Sequence, residues 1–397
     1  MDYIKISFWI SFCILFYVFI GYPIIIYLLI ICKRLVSKKA INSNTYFEPA
    51  ITLIITCYNE ANILATKIAN CKQLNYPSDK LKLVFIIDGS TDKSEQILKG
   101  FLDIKVLYQS ERAGKTAAEN RAMKFVDTPF VIFSDANTHL NRDAIVNIVK
   151  HFVNQSVGCV SGEKRIFNNV SNSSGAAGEG IFWKYKSLIK RLDSELNTTV
   201  GAAGELVAFR TELYTDLPKD TILNDFMQSM LIAIAGYKIV YEPNAFAVET
   251  ASASMQEELN KKVRICMGGW QSIIRLQNKL TPFKQPFLFF QYISHRVLRW
   301  TITPFLLIAI FILNLKMDLF VNGIYQVFMV GQFLFYTIAL AGLLLKNNNL
   351  KYKQIFVPYY FCVINYAVLA GLLKFVSDTQ NVLWDRAKRK VVVFEKV

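Results

Sequence analysis

An α/β domain with a mostly parallel sheet, carried on transmembrane helices, is the fold class this sequence predicts, and three observations predict it. Short apolar runs alternate with segments of helical period through the middle of the chain. Polar and acidic residues gather where each apolar run ends. Long uncharged stretches lie towards both ends. With 397 residues, 53% of them hydrophobic, and a mean hydropathy of +0.29, the chain is too apolar for an ordinary soluble domain and too long for one compact core.

The first element is a membrane span. Phe8 to Ile31 carries no charge over more than the ~20 residues a bilayer-crossing helix needs. Bulky residues continue up to Cys32, Lys33 and Arg34, unlike the small-residue cleavage site of a signal peptide, so residues 1–34 read as a retained N-terminal transmembrane helix. The basic run "KRLVSKK", Lys33 to Lys39, places the following domain in the cytoplasm by the positive-inside rule. The expected location is the inner (plasma) membrane, multi-pass, with the catalytic domain inside. Seven cysteines, an odd number without a CxxC pair, indicate neither a disulfide framework nor a zinc site. The net charge of +15 would suit nucleic acid, anionic lipid or phosphorylated substrates. With no helix-turn-helix, zinc-finger or RNP signature, no nucleic-acid partner is expected, and membrane lipid accounts for much of the charge.

Residues 49–280 form the soluble domain. "ITLIITCYN" (Ile51 to Asn59) precedes the helix-like "EANILATKIANCKQL", and "KLVFIID" (Lys82 to Asp88) precedes "STDKSEQILKGFL". Strands apolar on both faces and separated by helices imply a parallel sheet covered on both sides, with ligands at the strand carboxyl ends. Three such ends, "TCYNE" (Thr56 to Glu60), "DGSTD" (Asp88 to Asp92) and "SDAN" (Ser134 to Asn137), therefore converge on one rim. Asp135 and Asn137, two apart at a strand end, would face one cleft and could hold a hard cation, although these residues alone fit a turn as well. The "GKT" at Gly114 to Thr116 is not a Walker loop, because Gln109 stands where the first glycine is needed, but Lys115 can still reach a phosphate.

At this point the chain resembles the membrane-bound, processive-type transferases of glycosyltransferase family 2, the group of the cellulose, hyaluronan and poly-N-acetylglucosamine synthases. The resemblance rests on "TCYNE", "DGSTD", "GKTAAENRA", "SDANT", "GAAGELVAFR" (Gly201 to Arg210), "ILNDF" (Ile222 to Phe226), "GYKIVYEPNAFAVE" (Gly236 to Glu249) and "KKVRICMGGWQ" (Lys261 to Gln271), in the family's order. It implies a GT-A nucleotide-sugar-binding fold and inverting transfer of a sugar from a nucleotide sugar, usually a UDP-sugar, to a polysaccharide or lipid-linked acceptor. Thr56, Asn59, Glu60 and Asp88 would hold the nucleoside, with Lys115 nearby. Asp135 would hold Mg²⁺ or Mn²⁺ on the diphosphate, with Asn137 beside it where many relatives carry a second Asp. Asp225 would be the general base that takes the acceptor's proton, although an Asp at a helix start also reads as a plain N-cap. Arg264 corresponds to the arginine of the family's Q-x-x-R-W gate and would contact the diphosphate. Lys261 and Ile265 stand where that gate has Gln and Trp, and Trp270, five residues on, could either stack on a sugar or pack in the core. Glu179 and Trp183 are acceptor-side candidates.

An interfacial helix is expected over 283–300, where aromatics mix with His295, Arg296 and Arg299. C-terminal transmembrane helices follow over 301–376, with apolar stretches Thr301 to Leu315, Tyr325 to Leu345 and Phe356 to Val376. The tail, 377–397, is basic. Because "LKNNNLKYK" and "DRAKRK" both prefer the cytoplasm, the segment from Phe356, with Pro358 early in it, is expected to be bent or re-entrant, leaving Lys388 to Lys390 inside. Two rival readings share these residues: a non-catalytic membrane component that keeps the fold for binding, to which Asn137, Asn224 and Ile265 point, and a single-addition transferase to polyprenyl phosphate. Asp88, Asp135, Asp225 and Arg264 together favour an enzyme.

Overall fold

A computed structural model describes residues 2–36, 47–167, 174–250, 254–318, 323–345 and 353–377. The first apolar segment is one long helix in two halves, α1 (Asp2–Phe16) and α2 (Tyr22–Val36), joined by a π-helical turn at Tyr17–Gly21. The turn has a local cause. The Tyr22 N–H donates to the Tyr17 carbonyl, five residues back, and Pro23 has no N–H to donate. The carbonyls of Val18 and Phe19, in that turn, take side-chain donors from elsewhere in the chain. Arg299 Nη2 donates to the first at 3.0 Å and the Tyr185 hydroxyl to the second at 2.7 Å.

The central domain runs β1 (Ile51–Cys57), α3 (Ala61–Lys72), β2 (Leu81–Asp88), α4 (Ser94–Lys99), β3 (Lys105–Gln109), α5 (Lys115–Met123), β4 (Phe130–Asp135), β5 (Thr138–Leu140) and α6 (Ala144–Val149). It continues through β6 (Val157–Phe167), α7 (Ser174–Leu196), β7 (Leu206–Arg210), α8 (Asn224–Ile234), β8 (Lys238–Thr250) and α9 (Met255–Leu276). The eight strands form one sheet in the order β3-β2-β1-β4-β7-β6-β8-β5. β1 to β4 are parallel to one another, β6 is parallel to β8, and β7 and β5 run antiparallel to their neighbours.

Alternation of side chains divides each central strand between two cores, as expected for a sheet covered on both faces. Ile51, Leu53 and Ile55 of β1 and Ile132 of β4 enter one core, while Ile54 and the β4 residues Val131 and Phe133 enter the other. All seven residues of β1 are buried. This burial of both faces fixes register, so every carboxyl end in the parallel half reaches the same rim.

Beyond the sheet, α10 (Pro286–Tyr292), a π-helical turn at Ile293–Val297 and α11 (Leu298–Trp300) make one helical run, which then bends by 57° into α12 (Ile302–Asp318). α13 (Ile324–Leu344) and α14 (Lys353–Val376) follow. Among the described residues three helices, 2–36, 324–344 and 354–376, are long and apolar enough to cross a membrane, and the bent pair makes a fourth if it is one span. The chain is thus an α/β domain with a mostly parallel sheet, joined to helices apolar enough to cross a membrane. Phe8, Leu15, Ile310, Met317 and Tyr325 form the centre of the helical bundle.

Two of the expected C-terminal segments can be set beside the helices described. The segment from Phe356 belongs to one continuous helix, α14, with Pro358 as its sixth residue, and Ala367 and Val368 pack against Val263 and Cys266 of α9. The run expected to lie as an interfacial helix turns polar residues into the protein, with Gln291, Ser294 and His295 all buried. The Asp193 carboxylate of α7 takes His295 Nδ1 at 2.7 Å and the Tyr22 hydroxyl at 2.5 Å. Lys388 to Lys390 and the rest of the basic tail lie outside the described residues.

Candidate active site

The register β1 to β4 sets Thr56 beside Asp135 on neighbouring strands, at the rim where the parallel strands end. Asn59 stands just past β1 in the left-handed conformation, with φ 53°. Its side-chain oxygen accepts from the Thr91 N–H at 2.7 Å, and its own N–H donates to Ser90 Oγ at 3.0 Å, which ties the end of β1 to the end of β2. Glu60 begins the turn into α3, where its N–H donates to Ser94 Oγ at 3.1 Å. Asp88 is buried, and both of its oxygens brace the loop before α5: the N–H of Ala113 donates to Oδ1 at 3.0 Å and that of Gly114 to Oδ2 at 2.7 Å. Asn59 and Asp88 therefore shape the rim through backbone contacts.

That braced loop starts α5 with Lys115 aimed into the site. Its Nζ lies 2.8 Å from Asp135 Oδ1, 3.6 Å from Asp225 Oδ2 and 3.7 Å from Glu119 Oε1. Burial works against the ammonium, but the three carboxylates outweigh it and hold its pKa well above the usual lysine value. Glu119, on the same helix one turn on, is almost fully buried, and desolvation pushes its carboxyl up to about 8 against the pull of Lys115. Asn224 Nδ2 donates to its other oxygen.

Asp225 is the second residue of α8, and Leu223, not Asp225, occupies the N-cap. Burial raises its pKa, Lys115 opposes this, and Asp135 and Glu205 add to it. The side chain is 14% exposed, so its oxygens reach the cleft. The carboxylate lies over Gly204, where the backbone comes so close that a side chain would collide with it.

Asn137 does not join Asp135. Its Nδ2 lies 3.3 Å from Glu249 Oε1, and Glu249 also pairs with Lys164 and Lys261. Lys164 in turn takes Glu205 Oε1 at 2.6 Å. Arg264, on α9, has its pKa lowered by burial, with Asp135 opposing and Arg112 reinforcing that shift, and its Nε is buried without a hydrogen-bond partner among the described residues. It is thus within electrostatic range of Asp135. The Trp270 indole N–H is likewise buried and unpartnered among the described residues. Trp183 faces lysines, and the Glu179 side chain lies outside the described residues.

Three contributors were not singled out in the sequence. The Arg112 guanidinium stacks 3.7 Å over the Tyr58 ring, and Gly89 (φ 64°) is a glycine because a Cβ would sit 2.7 Å from the Arg112 backbone. Lys67 is buried behind the rim, donating to Ser134 Oγ at 3.1 Å and the Thr138 carbonyl at 2.8 Å, and so pins the turn that carries Asp135. Glu119 reads in sequence as one more polar helix position. A buried lysine in the apolar pattern of α3 is the one signal that could have been noticed.

Residues 52–217 match the family model described as Glycosyl transferase family 2. The match ends before Asp225 and Arg264. A poly-beta-1,6-N-acetyl-D-glucosamine synthase of Staphylococcus aureus strain MSSA476 is 27% identical over 235 residues, covering 57% of this chain and 56% of the relative. The corresponding synthase of Staphylococcus epidermidis is 26% identical over 235 residues, with the same coverage. The chain thus spans about half the length of the curated relatives it matches. Among solved structures, the mannosyltransferase PcManGT from Pyrobaculum calidifontis, in complex with GDP-Man and Mn2+, superposes with a TM-score of 0.70 at 22% identity, covering 94% of this chain and 99% of that one.

Proposed function

We propose that this chain, whose residues 52–217 are a glycosyl transferase family 2 domain, is an inverting transferase that moves a sugar from a nucleotide sugar to a membrane-associated acceptor in polysaccharide or glycan synthesis. The observation that carries the reading is the gathering of two carboxylates, Asp135 and Asp225, around one ammonium, Lys115. Asp135 is the more exposed and Asp225 the more buried, at 31% and 14%, and this divides their roles.

Asp225, with its pKa raised, is suited to take the proton of an attacking hydroxyl near neutral pH. Lys115 and Arg264 supply positive charge for the departing diphosphate. Tyr58 and Arg112, with Asn59, Glu60 and Thr56, line the nucleotide end. Trp270 remains the sugar-stacking candidate.

A divalent ion fits the donor set. Among the described residues no group of three or more His, Cys, Asp or Glu could hold a metal alone, but Mg²⁺ and Mn²⁺ are usually held by one or two carboxylates together with substrate phosphates. Asp135 would be the protein ligand, and the ion would draw negative charge from the leaving diphosphate.

The donor is a UDP-sugar in this reading, with GDP-sugars as the alternative. The catalytic domain faces the cytoplasm, in keeping with the basic run Lys33 to Lys39. Purified protein in lipid nanodiscs, offered a panel of UDP- and GDP-sugars, should release nucleotide from one of them only when acceptor is present. No release from any donor would leave the binding-only reading in its place.

A further inference from the structure

Lys115 and Glu119 stand one turn apart on α5, and the transfer chemistry uses only the first of them. The Lys115 ammonium lies 2.8 Å from Asp135 Oδ1 and 3.7 Å from Glu119 Oε1. The Glu119 side chain is 3% exposed, and its two oxygens differ in what they hold. Oε2 accepts from Asn224 Nδ2, whereas Oε1 is buried and accepts no hydrogen bond among the described residues. A buried carboxyl oxygen without a donor costs free energy, and Lys115 is the cation within ion-pair distance of this one.

Of the two side chains, Lys115 is the one free to move. Thr116 Oγ1 donates to the Thr221 carbonyl and Asn120 Nδ2 to the Leu217 carbonyl, each at 2.8 Å, so α5 is bonded along its length to the segment that leads into α8. Asn224, the first residue of α8, holds Glu119 itself. The carboxyl is therefore fixed in place. The ammonium, by contrast, ends a flexible four-carbon stem, and a lysine and a glutamate four positions apart on a helix are within each other's reach.

Asp135 is the proposed ligand of a divalent ion, and an ammonium bonded to the same carboxylate repels that ion. The ion is held more tightly the further Lys115 withdraws from Oδ1, and two carboxylates stand ready to take the ammonium. Asp225 Oδ2, at 3.6 Å, belongs to the proposed base, which needs its oxygens for the acceptor's proton. Glu119 Oε1 has no other duty. We propose that Glu119 is a positioning residue that receives the Lys115 ammonium as a divalent ion takes Asp135, so that Lys115 neither competes with the ion nor settles on Asp225. Burial pushes the Glu119 carboxyl up to about 8, and the proton it holds near neutrality passes to solvent as the ammonium arrives. The handover rests on the reading of Asp135 as the metal ligand.

The test is the Mn²⁺ affinity of the full-length protein in lipid nanodiscs, with UDP at saturation, or GDP if that is the nucleotide bound, read from the electron paramagnetic resonance signal of free Mn²⁺. Glu119→Gln keeps its amide oxygen on Asn224 and so turns an amide N–H₂, a donor, towards Lys115. It should weaken Mn²⁺ binding about tenfold, the worth of one hydrogen bond to a charged group. In a Lys115→Gln background there is no ammonium to receive, and the same substitution should weaken Mn²⁺ by less than about twofold. Equal weakening in both backgrounds overturns the proposal, because a carboxylate acting through its field or through the fold is felt with or without Lys115. An unchanged Mn²⁺ affinity in Glu119→Gln alone overturns it as well. Lys115→Met takes the place of Lys115→Gln should that variant fail to fold. Wild type that binds Mn²⁺ no better than Asp135→Asn sinks the reading of Asp135 as the ligand and the handover with it, whereas Asp135-dependent binding without the coupling sinks the handover alone.

Discussion

Gly204 and Asp225 are in contact: a Cβ built on Gly204 would lie 2.7 Å from the Asp225 carboxyl carbon, and closer still to Oδ2. The glycine is what leaves room for the proposed base. Gly204→Ala should therefore push Asp225 out of line and lower kcat on the order of 10²-fold, the usual cost of misplacing a reacting group by about an ångström. Nucleotide binding, measured by calorimetry with UDP, should change little. A variant with wild-type kcat would show that the Asp225 position is not critical.

Asp225→Asn should remove transfer and spare nucleotide binding, because the nucleotide is held at the other end of the cleft. The expected loss is 10²-fold or more. In the wild type, a raised pKa means that the base is protonated and inactive at pH values where an ordinary carboxylate would still be ionised. The acid limb of the kcat profile should accordingly lie above the usual Asp pKa, and the Asn variant should lack it. Activity above about one per cent of wild type would take Asp225 out of the role.

For Asp135→Ala the pattern reverses. Affinity for UDP in the presence of Mn²⁺ should fall, together with any dependence of activity on the metal. Unchanged calorimetric binding would show that Asp135 does not hold the ion.

Glu119 gives a stability prediction with a definite sign. Its folded-state carboxyl is pushed up from 4.5 to about 8 by burial, so between those values the folded protein binds a proton that the unfolded chain has released. That group's contribution to stability thus falls as pH rises from 4.5 to 8 and stays low above it. Glu119→Gln keeps the hydrogen-bonding shape without the ionisation, and should raise the melting temperature relative to wild type more above pH 8 than below pH 4.5. Parallel pH curves for the two proteins would mean that Glu119 is ionised with little penalty.

Much of the architecture was legible in the sequence because it depends on local pattern. Apolar strands followed by helical segments gave the parallel half of the sheet, and "TCYNE", "DGSTD" and "SDAN" marked its rim before any coordinates. Lys115, Asp135 and Asp225 do meet there. What escaped the sequence were partnerships made across long separations: Arg112 on Tyr58, Lys67 under Ser134 and Thr138, and Asn137 drawn to Glu249, 112 residues away. Side-chain alternation predicted a shared direction for Asp135 and Asn137, but β4 ends at Asp135 and the turn beyond it releases Asn137 from the strand's period. The docking of α14 on α9 was hidden for a related reason, since an apolar helix looks the same in sequence whether lipid or protein covers it.

That docking bears on how the protein can be handled. Gly371 of α14 lies so close to α9 that a Cβ there would come 2.8 Å from Cys266 Cβ, while Ile189 and Leu196 of α7 share an apolar contact with Ile26 and Ile30 of α2. The α/β domain borrows two of its outer walls from the hydrophobic helices, so a water-soluble fragment cut at residues 49–280 would be left with two greasy scars. Such a fragment should elute as aggregate on size exclusion, where the intact chain in detergent elutes as a discrete species. A monodisperse, active fragment would show that these walls are dispensable.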